Sequence, residues 1–181
     1  MIVWRFLVCI YLLLSLVHGQ DEGQDAELDE DYDEEKPVER MEKLADRALE
    51  FLNADHNDAD DQMVNYMRGL RYLALALDIF DQEECLINEC TPGTVSSALS
   101  TFGQAAEVHL DLAEFITRDV NKIESSLDFA KTFCERALEY VKAYEVGEEG
   151  ESYFGQLLDR QRRVQEKFEE EVAAAMAAGE L

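Results

Sequence analysis

The sequence predicts an all-α fold, a bundle of about four to five long, mostly antiparallel helices. Three observations point to it. After Pro37 apolar residues recur at the i, i+3, i+4, i+7 spacing of a helix face through most of the chain. The chain holds only two prolines and no alternating run of β-branched residues of the kind a strand needs. Alanine, leucine, glutamate and arginine, all good helix formers, are abundant between the breaks. The bundle is expected over residues 37–181, preceded by a signal peptide (residues 1–19) and a disordered acidic tail (residues 20–36).

Pro37 suits a first helical position, because its missing N–H would have no intrahelical partner there. Met41, Leu44, Ala45, Ala48, Leu49 and Leu52 then follow one face of a first helix. Asn53 to Asp58 breaks the pattern. A second helix is expected from about Asp60 to Glu83, with Met63, Met67, Leu70, Leu73, Ala74, Leu77 and Phe80 in line. Its middle is apolar on most sides and is expected to be the most buried stretch. Residues 81–93 form the longest break and end in Thr91-Pro92-Gly93, a turn signal.

The third helix is expected to begin near Thr94 or Val95 and reach Thr117, through Leu99, Phe102, Ala106, His109, Ala113 and Ile116. The fourth is the most regular. Val120, Ile123, Leu127, Ala130, Cys134, Ala137, Val141 and Tyr144 alternate spacings of three and four, a heptad-like seam that Gly147 and Gly150 end. A fifth helix is expected from about Ser152 to Ala178, carrying Phe154, Leu157, Val164, Phe168, Val172 and Ala175. It also holds Arg160, Arg162 and Arg163, a basic cluster expected to pair with acids on a neighbouring helix and offset like-charge repulsion. The segment starting at Ala45 resembles the one starting at Cys134 in residue type, yet the match is lost in the helix that follows. Convergence on a good amphipathic pattern explains it better than duplication.

The first residues carry one arginine, Arg5, ahead of an apolar run over residues 6–17, followed by His18-Gly19. That run is shorter than the ~20 residues needed to cross a bilayer but has the length of a signal-peptide core. Val17 and Gly19 are small, which places cleavage between Gly19 and Gln20 and predicts a secreted, extracellular protein. No other segment is long and uncharged enough to span a membrane. The terminal Gly179-Glu-Leu181 lacks the basic residue and aspartate of a retrieval tail.

The formal charge is −25, from 41 acids and 16 bases. Such a surface excludes nucleic acid and anionic membranes as default partners, since both call for clustered Lys and Arg. It favours cations, mineral surfaces or basic extracellular proteins. In the tail, Asp21, Glu22, Asp29, Glu30, Asp31, Asp33, Glu34 and Glu35 are the candidates for weak cation association, on the order of 10⁻³ M or weaker. The tail cannot bury enough apolar surface to offset its ordering entropy. Its Tyr32, set among acids, is a candidate for sulfation.

No specific metal site is expected. The segment Asp55 to Asp61 is rich in oxygen ligands but fails as a calcium loop: read from Asp55, Asp60 stands where the turn glycine belongs and Tyr66 where the bidentate acid belongs. Catalytic residues and cofactors are likewise not expected. No zinc motif, nucleophile elbow or phosphate-binding glycine loop occurs. His109, on the apolar face of the third helix, reads as a core histidine with a local hydrogen bond.

Outside the signal segment the cysteines are Cys85, Cys90 and Cys134. In an oxidising compartment a Cys85–Cys90 disulfide is favoured, with Cys134 a buried free thiol. A bond from either loop cysteine to Cys134 and an intermolecular bond are the alternatives. These features together predict a secreted, acidic, non-enzymatic structural or interaction protein, an extracellular-matrix or calcium- and mineral-associated component. Two other readings compete. One is a helical carrier of an apolar small ligand, lined by Met41, Met63 and Met67. The other is a secreted effector that binds a basic protein surface.

Overall fold

The computed structural model describes residues 36–178 except 55–58, 86, 87 and 89, and every regular element among them is helical. The α-helices are α1 (Pro37–Leu52), α2 (Ala59–Gln82), α3 (Pro92–Asp111), α4 (Val120–Ala143) and α5 (Glu148–Ala178). A π-helical turn, Leu112–Ile116, lies between α3 and α4.

Two helix starts differ from expectation, each for a local reason. Thr91-Pro92-Gly93 opens α3 and is not a separate turn. Thr91 is extended (φ −69°, ψ 149°) and its hydroxyl oxygen accepts the Thr94 N–H at 3.2 Å, while Pro92 occupies the first turn. Threonine as cap and proline just inside is the combination that satisfies a helix start. α5 begins at Glu148, so Gly150 lies within its first turn and does not end α4. Gly147, at φ 95°, makes the reversal between the two helices. Glu148, Glu149 and Glu151 then stand where the helix dipole favours negative charge.

Pairs of contacting residues give the helix directions. Between α3 and α4, Phe102 meets Tyr140 and His109 meets Phe129, so the two run antiparallel. Between α3 and α5, Glu107 meets Tyr153 and Asp111 meets Arg160, so these run the same way. α3 packs against all the other α-helices. It is therefore the most buried element, where the sequence pointed to α2. Its Ala98, Gly103, Ala105 and Ala106 are small enough to bury on several sides at once, which a hydropathy pattern does not register.

The heptad-like seam of α4 is buried at Leu127, Ala130, Cys134, Ala137 and Val141, with Ile123 and Tyr144 half-buried, while Val120, its first residue, is exposed. Above it lies an aromatic column. The Phe80 ring is 4.8 Å from Tyr140 and 6.1 Å from Phe102, and Phe102 is 6.2 Å from Phe133. Edge-on and offset pairs of this kind add about 0.5–1.5 kcal/mol each beyond the area they bury.

α3 does not run on regularly to Thr117. Its last turn widens, and the Thr117 N–H donates to the Leu112 carbonyl at 3.0 Å, five residues back. Leu112 and Ala113 stay buried while Phe115 is 64 % exposed.

Candidate functional site

An open cleft of about 360 Å³ runs between α1 and α3. On α1, Glu42, Ala45, Asp46 and Leu49 fall one or two turns apart and share the face that borders it. On α3, the wall opposite includes Ser96, Ser97 and Ser100. Serine and glycine at the start of α3 leave room that larger side chains would close. The Thr101 hydroxyl donates to the Ser97 carbonyl at 2.9 Å. Gln104 presents a buried amide oxygen with no donor. Two carboxylates facing serine hydroxyls make an acceptor-rich surface with no base in its lining, chemistry that suits a cationic or polyhydroxylated group.

Two arginines tie helices together, Arg136 on α4 to Asp81 on α2 and Arg160 on α5 to the end of α3. On α5, the Arg160 guanidinium donates to Asp111 at 2.7 Å and to Glu114 at 2.8 and 3.1 Å, tying that helix to the end of α3 and the π turn. It also lies 5.9 Å from the Phe115 ring. This is the expected cross-helix pairing for the first arginine of the cluster. Arg162 departs from it: its partner is Asp159 on its own helix, at 3.2 Å and exposed, where an ion pair contributes little.

Cys85 and Cys90 form a disulfide, and Cys134 is free and buried. Burial pushes the Cys134 thiol up to about 12, with Glu135 and Glu107 adding to it, so the reactive thiolate is suppressed. The disulfide loop is held from α4's end. The Tyr144 hydroxyl donates to the Cys85 carbonyl and accepts the Cys90 N–H at 3.2 Å. Glu84, with φ 48°, turns the chain out of α2 into this loop.

His109 is in the core as expected, stacked at 5.0 Å on Phe129 and 5.8 Å from Phe133. The expected local hydrogen bond is missing at Nδ1, which is buried without a partner. The ring is held by packing. Burial alone brings its pKa down to about 3, so it is neutral in the folded protein.

Met41 is buried in the core, and Met63 and Met67 pack half-buried against it; none of the three borders the cleft. The expected cleavage point at Gly19 and Gln20, the sulfation candidate Tyr32 and the acids of the tail lie outside the described residues. So do residues 55–58 of the oxygen-rich segment. Among the described residues, no group of three or more His, Cys, Asp or Glu side chains is placed to hold a metal ion. No helix among them is long and apolar enough to cross a membrane. No family model, curated protein or solved structure matches this chain.

Proposed function

We propose that this is a secreted, acidic, non-enzymatic structural or interaction protein of the extracellular matrix, which meets calcium, a mineral surface or basic proteins through its surface charge. One observation carries the reading. Among the described residues the buried polar side chains are Thr94, Thr101, His109, Thr117, Ser126 and Gln161, with no carboxylate in the set. Apart from the half-buried Asp81, Glu83, Asp111 and Glu114, the acids whose burial is described are exposed, and in the whole chain 41 acids stand against 16 bases. A field of that sign draws cations and basic surfaces and keeps copies of the chain apart.

The tail over residues 20–36 concentrates the effect, with ten acids and one lysine. The test is calcium and calcium-carbonate association of the purified protein with and without residues 20–36. The matrix and mineral reading expects association that weakens on deletion and falls with salt. Negligible association in both forms removes that reading. Recovery of the protein from culture medium beginning at Gln20 is the matching test of secretion, and retention in the cytosol with Met1 attached would refute it.

A second reading, a basic protein as the partner, is favoured by the surface of α5 described next.

A further inference from the structure

The last core residue of α5 buried below the surface is Val164, yet the helix continues to Ala178. That is about 21 Å of helix at 1.5 Å per residue. Phe168 still packs half-buried against the core. Beyond it Val172 and Ala175 repeat at helical spacing and are half-buried, and Met176 beside them is 65 % exposed. A helix keeps such an apolar stripe for a partner surface.

Charge selects the partner. At 100° per residue, Glu169 and Glu171 fall on either side of the stripe. Glu169 accepts from Gln165 at 2.7 Å and Glu171 faces Lys167 at 3.9 Å, both through exposed side chains. The last turn has no basic residue to offset the negative end of the helix dipole. An acidic rim on an acidic helix end repels a second copy of this chain and an anionic bilayer. It attracts a helix whose apolar stripe is edged with Lys or Arg.

We propose that the C-terminal part of α5, with Phe168, Val172 and Met176 as the apolar contacts and Glu169 and Glu171 as the rim, docks a basic amphipathic helix of a partner protein. This rests on the reading of the chain as an interaction protein for basic partners and names where one of them binds.

Calorimetric titration of the purified full-length protein tests it, using two Leu/Lys peptides of equal composition and about five helical turns. One carries its leucines at helical spacing and the other has them scattered. The patterned peptide should bind at least roughly tenfold more tightly than the scattered one. The double variant Val172→Ser, Met176→Ser, which leaves every charge in place, should lose that advantage while its far-ultraviolet spectrum is unchanged. Glu169→Gln with Glu171→Gln should weaken binding and flatten its salt dependence.

Equal binding of the two peptides, or unchanged binding by the serine variant, strikes out this site and leaves the basic-partner reading standing. If neither peptide binds, both fall. Concentration-dependent dimerisation that Met176→Ser abolishes would give the stripe to a second copy. Vesicle binding abolished by the same change would give it to a bilayer. Either result overturns the proposal.

Discussion

The Arg136 guanidinium on α4 grips the Asp81 carboxylate at the end of α2 with both terminal nitrogens, and its carbon lies 5.3 Å over the ring of Phe102 on α3. Three helices meet at one side chain. The pair is partly buried, with side chains 22 % and 34 % exposed. Burial pushes the Asp81 carboxyl up against the pull of Arg136. Arg136→Ala is expected to cost about 2 kcal/mol, more than an exposed pair would. Arg136→Lys should recover less than half, since an ammonium cannot reproduce the planar two-point contact or the stacking. Urea unfolding of the two variants checks this, and equal stability of the lysine variant and the native protein would refute it.

The Cys85–Cys90 bond closes a ring with a sequence separation of only five. Short loops restrict the unfolded chain little, and the chain-entropy relation gives about 2 kcal/mol for a ring of this size. Tyr144 holds the same loop from outside. The variant Cys85→Ser, Cys90→Ser should therefore lose no more than about 2 kcal/mol and keep its helical spectrum. Adding Tyr144→Phe should then cost about 1 kcal/mol more and expose the loop to protease. Loss of the helical spectrum on removing the disulfide alone would contradict this.

Most of the fold is legible in the residues themselves, because each helix must bury a stripe and a stripe leaves a period. Leu127, Ala130, Cys134, Ala137 and Val141 are buried where the seam of α4 places them. The start of α3 is misread because Thr-Pro-Gly serves a turn and a helix cap equally well, and only the Thr91 hydroxyl distinguishes them. The central position of α3 is hidden because its burial rests on small side chains, whose hydropathy is modest and whose value is that neighbours can come close. The cleft between α1 and α3 is not legible at all. Glu42 and Asp46 read as solvated charge and Ser96, Ser97 and Ser100 as a polar helix start, and only packing brings them to one wall-to-wall gap. The Cys85–Cys90 pairing is legible because the two share one loop.

His109 supplies a pH dependence whose sign is fixed. Its folded pKa, about 3, lies below the ordinary 6.5 because burial disfavours the imidazolium. Between those values the unfolded chain takes up a proton that the folded chain refuses. The residue has no effect on stability above about pH 6.5, and stability is lost progressively as pH falls from there toward 3. Carboxylate protonation works the other way in an acidic protein by relieving repulsion, so the comparison is with His109→Phe, which keeps a ring against Phe129. The variant should lack this proton uptake, and its advantage over the native protein should grow on going from pH 7 to 4. An advantage that stays constant across that range would show the histidine protonates freely in the fold.

Two glycines should respond in opposite directions to the same methyl group. Gly69 on α2 faces α1 so closely that a Cβ there would stand 2.7 Å from Leu52 Cδ2 and 2.8 Å from its Cγ, with the Ala48 carbonyl oxygen at 3.4 Å. Leu52 is half-buried at the end of α1, and moving it opens the packing between the two helices. Gly69→Ala should therefore destabilise by about 1–3 kcal/mol even though alanine is the better helix former. Gly155 on α5 has nothing within 4 Å of the same atom. There the helix propensity acts unopposed, and Gly155→Ala should stabilise by about 0.5–1 kcal/mol. Thermal unfolding of the two variants side by side measures the difference. A gain at both positions would mean that α1 lies farther from α2 than Gly69 requires, and a loss at both would mean that the face of α5 around Gly155 is covered.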